Sequence, residues 1–423
     1  MKKNSLLVIG IFYTILAAAQ TGDHYILLKP DRVFDGEQLH NDWVVLVKNQ
    51  QIEQAGPLRF KLPANTDIID LKGMTLLPGL IEGHAHLFLH PYNETSWNDQ
   101  VLTESRAERT ARAVVHARQT LLAGFTTVRD LGTEGAMYDD VGLKTAIEKG
   151  IIPGPRMICA TRAIVALGSY GVKSKNPDVN YPKGAAEIAS VEEMEKEARI
   201  QISKGADLIK VYADYGWGRD GEAAPTLTTE EMMMAVKIAG SSHRPVAAHA
   251  GTAEGMKRAI DAGVTTIEHG DYGTAEVFAM MKEKGIALCP TLAAGEAYES
   301  YKGWRKGIDP DPQRIVEKKK SFSLALKAGV TICMGGDVGV FSHGDNAREM
   351  ELMVDYGMTP ADVLRSATSI NATVFGYADK IGSIKKGLLA DLIAVEGNPA
   401  EEIKAIRNIT LVMKNGVIYR QDK

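Results

Sequence analysis

Leu76-Leu77-Pro78-Gly79-Leu80-Ile81-Glu82-Gly83-His84-Ala85-His86 is an apolar run that ends in two histidines one residue apart. In a β-strand, residues i and i+2 point to the same face, so His84 and His86 are placed to present both imidazoles to one metal ion. A buried strand that ends in polar side chains is typical of barrel enzymes, which carry their chemistry at the strand ends. The stretch therefore predicts the first strand of a barrel with a metal site at its end, provided that the rest of the chain supplies further ligands.

The segment from about residue 76 to residue 380 continues this pattern, because short apolar runs alternate in it with amphipathic helical stretches. Such alternation is typical of βα units around a parallel sheet. Strands are predicted near residues 76–86, 126–130, 156–161, 208–213, 246–249, 265–269, 287–291 and 331–337, and helices over residues 104–123, 191–204, 229–239 and 321–328. Eight units of this kind in about 300 residues favour a (β/α)8 TIM barrel. A doubly wound open sheet is the alternative, but no Gly-x-Gly-x-x-Gly follows the first strand to support it.

The two ends of the chain consist of short strand patterns without a long helical period. Trp43-Val44-Val45-Leu46-Val47 in the first part and Ile409-Thr410-Leu411-Val412-Met413 in the last are examples. We therefore predict an α/β protein in which residues 24–75 and 381–423 together build one small β-sandwich domain beside the barrel of residues 76–380.

Ligand-type residues recur at the ends of the predicted strands. They are His84, His86, Lys210, His249, His269 and Asp337. The strand ends of a barrel meet at one face, so we expect these side chains to converge there as metal ligands. The sequence leaves other readings open, since His249 and His269 are compatible with core histidines and Asp337 with a helix N-cap.

Lys210 differs from the other five because a protonated lysine has no acceptor atom and cannot bind a metal. Burial lowers the pKa of a lysine, and the neutral amine can take up carbon dioxide as a carbamate whose two oxygens bridge two cations. The alternative is a barrel lysine paired with an acid such as Asp337. The histidines and the aspartate at the same end favour the carbamate.

The composition is that of a globular protein, with 423 residues, 45% hydrophobic and 24% charged residues and a formal net charge of −4. No long basic run opposes this acidity, so we predict no nucleic-acid partner and no anionic membrane partner. The expected partner is a small-molecule or dipeptide substrate, and we predict a homo-oligomer. Cys159, Cys289 and Cys333 lie in apolar runs and are expected to be buried free thiols.

Residues 1–19 have the pattern of a signal peptide. Lys2 and Lys3 precede an apolar core over residues 6–16, and Ala17-Ala18-Ala19 follows as a small-residue cleavage site. The apolar part is short for a membrane span, which needs about 20 residues. We therefore predict an exported protein, periplasmic or secreted, without a membrane span after cleavage; an uncleaved anchor is the alternative.

Taken together, these motifs resemble those of the amidohydrolase superfamily, in particular its binuclear-metal members related to imidazolonepropionase. The resemblance extends from the His84 and His86 motif to Gly387-Leu388-Leu389-Ala390-Asp391-Leu392 near the C-terminus. Within it, His90-Pro91-Tyr92-Asn93 and Asp337-Val338-Gly339-Val340-Phe341-Ser342-His343-Gly344 are similar to exported Xaa-Pro dipeptidases and carboxypeptidases and to bacterial ochratoxin-hydrolysing amidohydrolases.

The resemblance implies two divalent metal ions, with Zn2+ expected for a histidine-rich site. It implies this order of ligands: His84, His86 and Asp337 on the first ion, N-carboxylated Lys210 between the two, and His249 and His269 on the second. A metal-bridging hydroxide would attack the scissile carbonyl, and Asp337 would act as general acid/base by passing the proton to the leaving amine.

Three further residues are candidates for substrate contacts. Tyr212 shares a strand face with the predicted bridging lysine, so it is expected to donate a hydrogen bond to the substrate carbonyl or carboxylate and to contribute to catalysis; plain packing is its alternative. Arg129 and His343 are candidates for binding the substrate carboxylate. A structural ion pair with Asp130 or Glu134 is the alternative for the arginine.

The expected reaction is hydrolysis of an amide bond next to a C-terminal residue, in a dipeptide or an N-acyl amino acid, ochratoxin-like amides included. A cyclic-amide (imidazolone-like) or lactone hydrolase on the same site is the first alternative. A mononuclear deaminase would leave Lys210 unmodified. From another class, a non-catalytic metal-binding barrel would keep the fold without turnover.

Overall fold

The computed structural model describes residues 23–172, 176 and 178–422, so the predicted signal peptide of residues 1–19 lies outside the described residues. Strands β1 to β19 are, in order, Tyr25–Phe34, Leu39–Asn41, Trp43–Lys48, Gln51–Pro57, Thr66–Pro78, Leu80–Ala85, Phe125–Asp130, Arg156–Cys159, Ile164–Ala166, Ala186–Ile188, Ile209–Tyr212, Asp214–Gly216, Ala223–Pro225, Val246–Ala250, Thr266–His269, Ala287–Cys289, Leu392–Glu396, Ile409–Lys414 and Val417–Gln421.

Helices α1 to α12 are Trp97–Leu102, Arg106–Leu122, Asp139–Glu148, Val191–Ser203, Thr229–Gly240, Ala253–Ala262, Ala275–Lys284, Leu292–Tyr301, Gln313–Ala328, Ala347–Asp355, Pro360–Arg365 and Asn371–Val374. A π-helical turn covers Ser366–Ile370, and a 3-10 turn covers Ile403–Arg407. Within the described ranges, no helix has the length and apolar character needed to cross a bilayer.

Strands from both ends of the chain form one eight-stranded sheet. Its order is β19-β18-β17-β5-β1-β3-β4, with β2 paired to β1. The ends meet where β5 runs antiparallel to β17, with Leu77 opposite Ile393. Leu28, Val45 and Leu411 are buried in the apolar cluster of this sheet. The expectation that strands from both ends come together is thus confirmed, in a single hydrogen-bonded sheet; the sandwich form and the domain limits stay a prediction.

The middle of the chain folds into two parallel sheets that together make a TIM-barrel type of α/β fold. One has the order β6-β7-β8, and the other has the order β10-β9-β11-β14-β15-β16. Asp207 links the two, because its backbone N–H donates to the Cys159 carbonyl at 2.7 Å. On the other side, single bridges join Leu288 to Ile332 and Ala85 to Val338. The ladder is not continuous, so the (β/α)8 prediction is confirmed in its coarser form.

The predicted eighth strand, residues 331–337, is wrong as a regular strand. The Gly336 N–H donates to the Glu82 carboxylate at 2.8 Å instead of to a neighbouring strand. Asp337 has a φ of 61°, in the left-handed region, which ends extended structure. A β-carbon at Gly335 would lie 2.8 Å from the His84 backbone nitrogen, so only glycine fits this close approach.

The predicted first strand, residues 76–86, is divided between the two parts of the molecule. Its beginning belongs to β5 of the terminal sheet, while β6 belongs to the barrel. The division falls at Gly79, whose N–H donates to the Asp391 carbonyl at 2.7 Å. His84 consequently lies inside β6, and His86 follows its last residue.

The prediction of buried free thiols is confirmed, because Cys159, Cys289 and Cys333 are free and buried. Gly263 and Gly329 end α6 and α9 with φ values of 82° and 69°, in the left-handed conformation that glycine adopts readily at a helix C-terminus. Helix α9 begins earlier than the predicted residue 321, and this extension carries side chains toward the strand ends.

Candidate metal centre and catalytic cavity

A cavity of about 330 Å³ opens where the parallel strands end. Its walls include His84, His86, His249, His269 and Asp337. The structure therefore brings together five of the six predicted ligands, as the topology requires, because the carboxyl ends of parallel strands meet at one face.

His84 and His86 are both oriented through their Nδ1 atoms. His84 Nδ1 lies 2.9 Å from the Glu268 carboxylate, and His86 Nδ1 lies 2.8 Å from the Gly132 carbonyl. The Nε2 atoms face Asp337 Oδ1 at 3.6 Å and 3.3 Å. Contacts of this kind hold a ligating ring in place and leave its second nitrogen for a metal.

His249 and His269 form the opposite side of the group. His269 Nδ1 lies 2.8 Å from Thr291 Oγ1, and its ring centroid is 4.3 Å from that of His249. The His249 ring stacks on Tyr212 at 4.6 Å, and its Nε2 lies 3.7 Å from Asp214 Oδ1. Ligand atoms of His84, His269 and Asp337 lie within 4.8 Å of one another, which is close enough to share one ion.

Burial sets the protonation of these histidines. It lowers the pKa of His84 and of His249 to about 4, and it lowers the pKa of His269 well below its usual value. These three imidazoles are neutral at pH 7, the form that binds a metal. Burial disfavours the protonated form of His86 as well. The hydrogen bond to Asp337 and the negative charge of Asp337 counteract this penalty, and the pKa of His86 is raised to about 9. A metal must displace that proton, so metal affinity should increase with pH.

Asp337 is an ionised carboxylate at the centre of the group. Burial alone would raise its pKa, but the charges of His84, His86 and Lys210 outweigh burial and lower the pKa to about 2. Its backbone N–H donates to the His84 carbonyl at 2.8 Å, which ties the segment after Ile332 to β6.

Lys210 provides the test of whether the residues fit a binuclear metal site. Its side chain is buried on β11, and its Nζ has no hydrogen-bond partner among the described residues. An unpaired buried ammonium is expensive. Burial accordingly lowers the pKa of Lys210 to about 8, which makes the neutral amine accessible. An orphaned amine beside four histidines and an aspartate fits a carbamate between two cations, and the alternative ion pair with Asp337 is not formed.

Four residues around the cavity have left-handed backbones although they are not glycines. They are Glu134, His269, Thr291 and Asp337, with φ values of 49°, 74°, 51° and 61°. Such conformations are costly and concentrate at functional sites, where the surrounding structure holds them. Here they turn side chains at the strand ends into the cavity.

Tyr212 lines the cavity, as its predicted role requires, but its hydroxyl already has a partner. It donates to Glu134 Oε1 at 3.4 Å, and the same carboxylate accepts from the Tyr170 hydroxyl at 2.5 Å and from Trp97 Nε1 at 2.9 Å. Burial, followed by the charge of Glu134, raises the pKa of Tyr212 well above its usual value, so the phenol keeps its proton. Its long bond to Glu134 leaves it the more available donor of the two tyrosines.

The structure does not place Arg129 in the cavity wall, where our prediction of a substrate contact requires it. It is buried outside the cavity walls and donates to the Gly83 carbonyl at 2.6 Å, to Thr266 Oγ1 at 3.1 Å and to the Glu268 carboxylate at 2.8 Å. Glu268 is the carboxylate that holds His84. Burial alone would raise the pKa of Glu268, but the charge of Arg129, together with the hydrogen bond to His84 and the charges of His84 and Lys210, outweighs burial and depresses this pKa strongly. The ion pair that we considered as the alternative exists, with a different acid.

Arg129→Met is expected to reduce the free energy of unfolding by about 3–5 kcal/mol, because it leaves the buried Glu268 carboxylate without its counter-charge. Urea unfolding measures this change. The control is Arg112→Met, which removes an exposed pair with Glu108 and should cost about 1 kcal/mol or less. Equal losses for the two variants would contradict the assignment.

His343 is likewise placed away from the cavity. Its Nε2 lies 2.9 Å from the Leu89 carbonyl, and its ring stacks on His116 at 4.2 Å. His116 Nδ1 in turn lies 2.8 Å from the Leu87 carbonyl. The two rings therefore brace the loop that follows His86, and His343 does not line the cavity, as the predicted substrate contact requires.

Sequence reasoning missed several residues of the site. The largest omission is Glu268. It could have been noticed because a charged residue is unusual inside the apolar run that precedes His269. Tyr170 and Arg314 line the cavity from outside the predicted strands, and no pattern in the sequence places them there.

The Amidohydrolase family model matches residues 75–419, so the chain belongs to the amidohydrolase family and its predicted resemblance is confirmed. Ochratoxinase of Aspergillus niger is 32% identical over 376 residues, covering 82% of this chain and 75% of the relative. The crystal structure of a Xaa-Pro dipeptidase with bound methionine in the active site has a TM-score of 0.82 and 32% identity, covering 94% of this chain and 100% of that one. A prolidase complexed with N-methylphosphonate-L-proline has a TM-score of 0.81 and 25% identity, with coverage of 94% and 100%. These similarities identify the protein as a hydrolase acting on C–N bonds.

Proposed function

We propose that this protein is a metal-dependent hydrolase of the amide bond next to a C-terminal residue, in dipeptides or N-acyl amino acids, ochratoxin-like amides included. The observation that carries the proposal is the convergence of five ligand-type side chains around one cavity. The orphaned Lys210 Nζ lies close enough for its charge to act on His84, His249 and Asp337. The dipeptidase, the prolidase and ochratoxinase support the choice of an amide substrate.

The site would hold two divalent ions, and Zn2+ suits a histidine-rich set of ligands. The first would bind to His84, His86 and Asp337, carboxylated Lys210 would bridge, and the second would bind to His249 and His269. When bound, such ions lower the pKa of water and polarise a carbonyl oxygen.

The protein's own groups then supply the proton movements. Asp337, ionised at neutral pH, accepts a proton at its carboxylate from the attacking water and delivers it to the nitrogen of the leaving amine. Tyr212 turns its hydroxyl from Glu134 toward the substrate carbonyl oxygen and stabilises the charge that develops there. Tyr212 is buried and the Asp337 side chain is only 14% exposed, and this low-dielectric setting strengthens both interactions.

We also propose that the protein acts outside the cytoplasm as a homo-oligomer. The signal-peptide pattern of residues 1–19 supports export to the periplasm or the medium. N-terminal sequencing of the secreted protein tests cleavage, and light scattering tests the assembly state.

Removal of metal is expected to abolish hydrolysis of N-acetyl-L-phenylalanine and of Xaa-Pro dipeptides, because in the proposed reaction a bound metal ion activates the attacking water. Chelator-treated protein should regain activity with added Zn2+, measured by release of the free amino acid. Imidazolones and lactones complete the panel. Preferred turnover of these rings would favour the cyclic-amide or lactone hydrolase, and absence of any turnover in the metal-loaded protein would favour the non-catalytic barrel.

A further inference from the structure

Arg314 is the single lysine or arginine among the described residues that line the cavity. It lies in the first turn of α9, and its side chain is 40% exposed. The other lining residues include the acids Glu134, Asp271 and Asp337. An arginine among these acids is therefore a distinct recognition element.

The position of Arg314 is unfavourable for the helix that carries it. The N-terminal end of a helix bears partial positive charge, which disfavours a cation there. Helix α9 has no acidic residue in its first turn and no side-chain cap to offset the cost. The same potential favours an anion bound beside Arg314. A bound carboxylate would therefore stabilise both the guanidinium and the N-terminal end of the helix.

The neighbours of Arg314 orient its guanidinium without using up its donors. Its nearest acid is Asp271, at 3.5 Å, longer than the usual 2.7–3.2 Å of an N–H···O bond. Asp271 is already bonded at 2.5 Å to Lys318 Nζ, which also donates to the His269 carbonyl at 2.7 Å. Two cations thus share one carboxylate, and one positive charge remains unbalanced at the cavity wall.

Tyr298 completes the subsite. Its ring centroid lies 5.4 Å from the Arg314 guanidinium, within the range of a cation–π contact. Ala294 and Gly295 line the same wall with small side chains. A carboxylate that enters the cavity matches the two-donor fork of an arginine.

We propose that Arg314 binds the α-carboxylate of the substrate and so restricts the enzyme to amides that end in a free carboxylate. The inference rests on the proposed function and narrows its substrate class: N-acyl amino acids and dipeptides are accepted, and their C-terminal carboxamides are discriminated against. It takes the role that we had predicted for Arg129 and His343.

Binding without turnover tests the subsite directly. The metal-loaded protein is titrated calorimetrically with L-phenylalanine and with L-phenylalaninol, which lacks the carboxylate. We expect the wild type to prefer phenylalanine by about 10- to 100-fold, the range for a hydrogen bond to a charged group. Arg314→Gln should bind both probes equally, and Arg314→Lys should keep part of the preference because it keeps the charge but loses the fork.

A kinetic comparison separates this inference from the proposed function. The ratio of kcat/KM for N-acetyl-L-phenylalanine to that for N-acetyl-L-phenylalaninamide should collapse toward one in Arg314→Gln and stay unchanged in Arg199→Gln, an exposed control on α4. The assignment is overturned if Arg314→Gln keeps the full preference for the free carboxylate over the carboxamide, or if the wild type shows no such preference. If the wild type prefers phenylalanine in the titration but hydrolyses no amide, the carboxylate subsite stands and the proposed reaction fails.

Discussion

Asp337→Asn is expected to lower kcat for hydrolysis of N-acetyl-L-phenylalanine by about 10²- to 10⁴-fold, the usual contribution of a positioned acid/base. The pKa of Asp337 is lowered to about 2 because the neighbouring cationic groups outweigh burial, so the carboxylate is ready to accept a proton throughout the neutral range. An asparagine side chain fills the same space but cannot accept that proton. Single-turnover rates with metal content measured in parallel give the result.

Two comparisons show whether the loss is that of a proton carrier. The p-nitrophenolate group of a p-nitrophenyl ester leaves as an anion without being protonated. The rate of ester hydrolysis should therefore fall less than the rate of amide hydrolysis. Asp355→Asn, in an exposed pair with Lys306, should behave as the wild type. Full amide turnover in Asp337→Asn at normal metal content would exclude the assigned role.

Lys210→Met is expected to remove one metal equivalent and to lower activity by about 10³-fold or more, because metal activation contributes several kcal/mol to the transition state. The matched control is Lys414→Met. Lys414, on β18 of the terminal sheet, is also buried, and burial lowers its pKa to about 8 as well, but its Nζ has a partner in the Gly154 carbonyl. The control should keep its metal and its activity.

The proposed carbamate on Lys210 should form in a pH-dependent way, because of the same burial. Only the unprotonated amine takes up carbon dioxide, so with a pKa of about 8 for Lys210 uptake should rise as pH rises toward 8 and level off above it. Labelled bicarbonate and carbon NMR should show one carbamate in the wild type and in Lys414→Met, and none in Lys210→Met. A single metal with an unmodified Lys210 amine would favour the mononuclear deaminase.

The cluster of ligand-type side chains was predictable because strand ends are visible in a sequence. His249 and His269 each close an apolar run, and topology alone brings such ends together. The eighth segment was predictable as a ligand carrier but not in its conformation. Its regular pairing is prevented by the contacts of Gly335 and Gly336 with β6, which are long-range and leave no periodic signal.

The substrate contacts were harder to predict because they depend on how loops and helices close over the strands. Arg129 has the positive charge needed to bind a substrate carboxylate. Only the position of Glu268 shows that this charge is instead paired with an acid inside the protein. Arg314 lies in a helix whose start the sequence placed too late. Charge identifies candidates, but distance decides which of them reach the cavity.

The pairing of β5 with β17 joins residues from opposite ends of the chain. While the protein is being synthesised, β5 therefore has an open edge until the last strands emerge, and exposed strand edges promote association between chains. Closing such a long loop is also slow, because its entropy is lost before the contact is gained. The rate at which a newly made molecule escapes aggregation is thus set by its last few dozen residues, far in sequence from the histidines that open the barrel.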